Sequence, residues 1–238
     1  MGAPMKLSIR LACWLASAVV TCGALSQPAQ PQGGMERRMA ACITCHGREG
    51  QASNSDYFPR LAGKPALYLY EQLRSFRDGR RQQSEMSYLL ANLSDAYLRE
   101  MAEYFSALDR PYPAPTPSDL PADESSRGKA LIFRGDAARG IPACISCHGE
   151  ALTGLAPGIP GLLGLPRLYI ASQLGAWVTG ERRAAAPDCM AEVGRRLDSK
   201  DIRAIAGWLA AQPMPARPAA SPQPARLPLA CSAVEPRG

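Results

Sequence analysis

Two pentapeptides carry the chemistry of this chain: Cys42-Ile43-Thr44-Cys45-His46 and Cys144-Ile145-Ser146-Cys147-His148. Two thiols at this spacing lie on one side of a short helical turn, where both can add to the vinyl groups of one porphyrin. The histidine that follows lies against the same ring and can offer an imidazole nitrogen to iron. Cys42, Cys45, Cys144 and Cys147 therefore read as attachment points for two covalently bound haem c groups, with His46 and His148 as axial iron ligands. The chain has only two histidines, and both sit in these motifs. Zinc would need a further pair of Cys or His ligands at each site, and the neighbouring segments offer none. Thiol–disulfide exchange of the thioredoxin kind would need an alternating βαβ context, which is missing.

An iron held by histidine on one face needs a second ligand or stays open. With both histidines used, bis-histidine ligation within one chain is excluded. A methionine thioether is the natural candidate, and it raises the reduction potential. In the first half Met35 and Met39 precede the motif, and Met101 lies on the apolar stripe of a later helix, where core filling is the expected role. Met86 is expected in a loop between helices. Met190 stands in the matching place of the second half, and Met214 falls in the tail. The matched pair, Met86 and Met190, is the expected set of axial sulfur ligands.

The match is part of an internal repeat. Ala41 to Gly47 lies on Ala143 to Gly149, and Pro59, Leu61, Gly63, Pro65, Tyr68, Gln72 and Gly79 lie on Pro160, Leu162, Gly164, Pro166, Tyr169, Gln173 and Gly180. A period of this length means tandem domains rather than solenoid units. Periodicity predicts helices over 36–45, 64–77 and from Ser94-Asp95 in the first half. In the second half it predicts them over 127–133, 167–179 and 199–211. No alternating strand pattern appears, so the fold class is all-α. The expected plan is a signal peptide over 1–26, domains over 34–110 and 122–212, a Pro-rich linker over 111–121 and a Pro/Ala-rich tail over 213–238. The linker, with Pro111, Pro113, Pro115, Pro117 and Pro121, favours an extended, semi-rigid spacer.

Lys6 and Arg10 precede an apolar run from Leu11 to Leu25, the pattern of a secretory signal. That run is shorter than the roughly 20 residues a membrane span needs. Cys13 and Cys22 would leave with it, and four further cysteines hold haem. Cys189 and Cys231 remain, either as a disulfide that pins the tail or as two free thiols. The formal net charge is +6. It is spread along the chain without a basic stripe, which argues against a nucleic-acid role. Only 6% of residues are aromatic. Small domains of that composition have thin cores, and a large flat apolar cofactor would fill them.

On Cys-x-x-Cys-His-Gly twice, Pro59-Arg60-Leu61-Ala62-Gly63-Lys64, Tyr68, Gln72-Leu73, Gly79-Arg80, Met86 and their second-half counterparts, the chain resembles the dihaem cytochromes c4. These belong to the class I cytochromes c. The resemblance covers about residues 34–212. It implies two tandem class I cytochrome c domains, each a small helical fold around one haem. It also implies His46/Met86 and His148/Met190 iron, and the carbonyls of Pro59 and Pro160 as acceptors for the proximal imidazoles. Domain one departs from the pattern in its entry helix, where Met35-Glu36-Arg37-Arg38 stands. Pro160-Gly161-Leu162 and the tail with Cys231 depart as well.

The expected function is a periplasmic electron carrier between a respiratory donor, a bc1-type complex or a dehydrogenase, and a terminal oxidase. Its partners are redox proteins, with loose membrane association. The alternative is a dedicated cytochrome subunit of a periplasmic dehydrogenase that oxidises sulfide, thiosulfate or alcohols. A dihaem peroxidase would need one haem open to peroxide, against which the matched methionines argue. Redox sensing through Cys189 and Cys231 lacks an activating neighbour for either thiol.

Overall fold

A computed structural model describes residues 2, 34–52, 57–216, 218–222 and 226–234. The expected signal segment, with Cys13 and Cys22, lies outside the described residues.

The first half is built from five helices. α1 (Met35–Arg38) and α2 (Ala40–His46) are separated by a break at the buried Met39. α3 (Ala66–Arg77) starts after Pro65 and stops at Asp78-Gly79, where glycine supplies a φ of 71°. α4 (Ser84–Leu90) and α5 (Asp95–Ser106) follow, the latter capped by Ser94 Oγ, which accepts from the Tyr97 N–H at 3.3 Å. Met39, Leu69, Tyr70, Phe76, Leu90, Leu98, Met101 and Phe105 form the core. Met101 fills core, as its place on the apolar stripe implies.

The second half repeats the order. α6 (Ala122–Arg134) leads to α7 (Ile145–His148), a two-stranded antiparallel ribbon of β1 (Gly154–Leu155) and β2 (Ile159–Pro160), then α8 (Arg167–Thr179), α9 (Cys189–Gly194) and α10 (Ser199–Ala210). α6 begins at Ala122, ahead of the expected Arg127. Pro121 precedes it, and Asp123 and Glu124 complement the helix dipole in the first turn. The ribbon is too short to show as an alternating pattern. Leu131, Ile132, Ile141, Leu163, Ile170, Leu197, Ile205 and Leu209 make the second core. α6 crosses α10 closely at Gly128, where a Cβ would lie 2.3 Å from the Ala204 carbonyl oxygen.

Asp201 ties this crossing to the loop before α7. Its side chain is 2% exposed, accepts from Arg127 Nε at 3.0 Å and from Arg139, and closes a capping box with Asp198. Burial alone would raise its pKa. The hydrogen bonds from Arg139, the Asp198 N–H and Arg127 outweigh it and hold the carboxyl below the usual carboxylate range. A depressed folded-state pKa means stability that is present above the unfolded value near roughly 4 and is lost as pH falls through the folded one. Asp201→Asn should therefore lower stability at neutral pH by about 1–3 kcal/mol and flatten the acid limb of the stability curve. Denaturant titrations at neutral and acid pH measure both effects. An unchanged midpoint at neutral pH would contradict the assignment.

Residues 108–121 have no helix or strand, and this Pro-rich segment is fastened rather than free. Arg60, 1% exposed, donates to the carbonyls of Ala62 at 3.0 Å, Pro111 at 2.7 Å and Arg110, and its guanidinium lies 4.0 Å from the Tyr112 ring centre. The Thr116 N–H donates to the Ala210 carbonyl at 3.0 Å. In the tail, Ser221 pairs with β1, and Cys189 and Cys231 are joined as a disulfide with Cα atoms 5.0 Å apart.

Candidate functional site

Each half encloses a cavity that its haem motif lines. Cys42, Cys45, His46 and Met86 line the first, of about 770 Å³, together with Phe58, Leu69 and Phe105. Cys144, Cys147, His148 and Met190 line the second, of about 180 Å³, with Leu131, Ile170 and Leu209. The four thiols are unpaired. Burial pushes the Cys42 and Cys147 thiols up and takes Cys144 to about 12. For Cys42, Cys144 and Cys147 this favours the thiol, the form that adds to a vinyl group.

Both histidines are 8% exposed. His46 Nδ1 lies 2.9 Å from the Pro59 carbonyl oxygen, and His148 Nδ1 lies 2.8 Å from that of Pro160. A carbonyl only accepts, so Nδ1 carries the proton and Nε2 keeps its lone pair for a metal. Burial lowers both imidazole pKa values, with the proline carbonyls pulling the other way, so the neutral ligating form is favoured.

Met86 and Met190 are not in loops, as the spacing suggested, but on the short helices α4 and α9. Side-chain caps start these helices: Gln83 accepts from the Met86 N–H at 2.8 Å, and Asp188 from the Ala191 N–H at 3.0 Å. Met39 and Met101 also line the first cavity. Their counterparts by the repeat are Ile141 and Ile205, both in the second core. Among the described methionines, Met86 and Met190 are the pair that stands at the same place in both halves and lines both cavities.

The wall between the cavities is common to both. Lys64, Tyr68, Gln72, Tyr169, Gln173 and Arg182 line each of them. The wall is a reciprocal clasp. Arg81 donates to Gln72 Oε1 in its own half at 3.0 Å, and to Tyr169 Oη at 3.0 Å and Gln173 Oε1 at 2.6 Å in the other. Arg182 donates to Gln173 Oε1 in its own half at 2.9 Å, and to Gln72 Oε1 at 2.9 Å and Tyr68 Oη at 3.4 Å in the other. Arg81 lies over the Phe76 ring and Arg182 over the Trp177 ring, at 4.4 Å and 3.8 Å from the ring centres. Backbone bonds from Gln82 N to Glu181 O and from Arg183 N to Arg80 O close the joint. The repeat aligns Arg81 with Arg182, and that alignment is the signal of the pairing in the sequence.

Lys64, Arg81 and Arg182 are each 7% exposed or less, and none makes an ion pair among the described residues. Burial pushes the Lys64 ammonium down to about 8 and lowers the Arg182 pKa as well. Buried cations without anions are costly. The Trp177 indole N–H, which donates only, is likewise buried on the second cavity without a partner. A porphyrin answers both deficits. Its carboxylates would give Lys64, Arg81, Arg182 and Trp177 acceptors and counter-charge, and its apolar plane would suit the remaining walls. The donor set and the cavity chemistry thus fit haem c. Zinc lacks a site, since no group of three or more His, Cys, Asp or Glu side chains is placed to hold a metal among the described residues.

A helical fold with a Cys-x-x-Cys-His turn on an apolar cavity, its imidazole held by a proline carbonyl, defines a class I cytochrome c. The chain is 40% identical over 200 residues, 83% of its length, to the "thiosulfate dehydrogenase electron acceptor" of Thiomonas intermedia, of which it covers 90%. Other relatives are named cytochrome c4. Among solved structures it resembles reduced cytochrome c4 from Pseudomonas stutzeri, with a TM-score of 0.64 and 30% identity, covering 74% of this chain and 95% of that one. It also resembles thiosulfate dehydrogenase from Marichromatium purpuratum, with a TM-score of 0.67 and 35% identity, covering 77% of this chain and 39% of that longer one. No protein-family model matches. The chain belongs to the cytochrome c4 family, and it is an electron-transfer cytochrome of the covalent haem c type.

Proposed function

We propose that the chain is a periplasmic dihaem cytochrome, with domains over 34–110 and 122–212. In this reading His46 and Met86 hold the first iron, His148 and Met190 the second, and Cys42, Cys45, Cys144 and Cys147 the two porphyrins. When bound, haem iron takes up and releases one electron. The observation that carries the reading is a pair of cavities, each lined by a Cys-x-x-Cys-His turn and a methionine, on one shared wall. With His46 and Met86, and His148 and Met190, holding the two irons, neither would have a position left for a substrate. The clasp of Arg81 and Arg182 holds the two sites at a set distance and gives buried counter-charge to the cofactor carboxylates. Export follows from the attachment chemistry and from Lys6, Arg10 and the apolar run after them. Among the described residues no helix is long and apolar enough to cross a membrane.

The electron donor in this reading is a periplasmic dehydrogenase, of the thiosulfate-oxidising class, and the acceptor is a terminal oxidase. The name and the 90% coverage of the Thiomonas relative support that donor. A second reading, supported by the relatives named cytochrome c4, has the chain fed by a bc1-type complex. Absorbance of the reduced haem, followed after mixing the oxidised protein with each donor and its substrate, separates them. Thiosulfate plus its dehydrogenase should reduce both haems faster than the bc1-type complex plus quinol. The reverse order favours the second reading. Peroxide turnover with a reduced donor would overturn the carrier role.

A further inference from the structure

The two cavities differ in how the methionine helix is fastened. In the first half Ser87 Oγ donates to the Phe76 carbonyl at 3.1 Å and ties α4 to α3, one residue after Met86. The residue that the repeat places at Ser87 is Ala191, which has no side-chain donor. α9, with six residues, is therefore short of the tie its counterpart has, and a helix of that length has little stability of its own. The residue that the repeat places at Glu85 is Cys189, next to Met190, and it is joined to Cys231 of the tail.

The tail does more than meet that cysteine. Leu229, Cys231, Ser232 and Ala233 line the second cavity. The Ser232 N–H donates to the Pro187 carbonyl at 3.0 Å, and Ser232 Oγ to the Ala185 carbonyl at 2.8 Å, both in the segment leading to Met190. On the other side the tail meets the segment whose Pro160 carbonyl holds His148. Ser221 bonds Gly154 and Ala156 across β1, and a Cβ on Gly158 would lie 2.1 Å from the Ala233 carbonyl oxygen. The described tail residues are thus fixed on the imidazole side of the cavity, at Ser221 and Ala233, and on its thioether side, at Cys231 and Ser232.

We propose that this tail is a strap that positions Met190, with the Cys189–Cys231 disulfide in the role that the Ser87 hydrogen bond has in the first half. The proposal rests on the reading of Met190 as an iron ligand. A neutral thioether is a weak ligand, and freeing the helix that carries it lets the sulfur leave the iron. Cys189 and Cys231 act through Met190 and are positioning residues.

The test uses the oxidised full-length holoprotein with Cys189→Ser and Cys231→Ser together, after mass measurement shows both haems attached. The red charge-transfer band of thioether-bound ferric haem should fall to about half of its wild-type strength. The ferrous variant should bind carbon monoxide at one iron per chain, while the wild type binds none. A full-strength band without carbon monoxide binding overturns the strap. Should the variant take up one haem only, the wild-type holoprotein is treated with a phosphine, alkylated, and re-oxidised at iron with ferricyanide. The same half-strength band is expected, and a full band again overturns the proposal. A wild-type protein that already has half the band and binds carbon monoxide would instead remove the Met190 ligation, and the strap with it.

Discussion

Met86→Ala removes about half of the red charge-transfer band of the oxidised protein, and Met190→Ala removes the other half. Among the described residues this thioether is the one methionine sulfur that the repeat places in both cavities, so each substitution opens one iron and leaves the other intact. The midpoint potential of the altered haem should drop by about 0.1–0.3 V, a fraction of the roughly 0.8 V over which axial ligands tune haem. Titration with a redox mediator, read at the reduced-haem absorbance, resolves one shifted and one unshifted step. Met101→Leu is the control. Met101 is 5% exposed within the core, and its repeat counterpart is Ile205, so the band should stay whole. If Met101→Leu halves the band and Met86→Ala does not, the first ligand is wrongly assigned.

The second large effect is on folding. A chain with Cys144→Ala and Cys147→Ala should emerge with one haem, and its second half should lose helix. The second core packs around the cavity, with Leu131, Ile170, Leu197, Ile205 and Leu209 facing it. Without the porphyrin those side chains have little to bury against. A unit of this size has only a few kcal/mol in reserve, and the loss should be on the order of 5 kcal/mol or more. Far-ultraviolet circular dichroism and limited proteolysis measure it, with new cleavage expected within 122–212. A variant with wild-type helicity and no new cleavage would show that the apolar walls hold without the cofactor.

The haem chemistry was legible in the sequence because it is local. Two cysteines and a histidine at fixed spacing state their use without reference to the rest of the chain. The repeat sets Met86 and Met190 at matching positions and leaves Met101 without a sulfur counterpart, which is as far as the sequence carries the ligand proposal. The helix from Ser94-Asp95 followed from its cap and apolar spacing, and the helix over 167–179 from the repeat. Misses came where side chains, not periodicity, decide. α4 and α9 are started by Gln83 and Asp188 and are too short for a pattern to mark them. The clasp of Arg81 and Arg182 depends on contacts between residues 88 to 114 apart in the chain, and buried arginine looks like surface arginine in a sequence. The pairing of Cys189 with Cys231 stayed open for the same reason, since spacing along a chain carries no Cα distance. The path of the linker over Arg60, and of the tail over Gly158, likewise comes from tertiary contact alone.

Mass spectrometry of the exported, denatured polypeptide tests the central claim most directly, since thioether links survive unfolding. The account predicts a single species heavier than the bare chain by two haems. A polypeptide that carries one haem or none would contradict it.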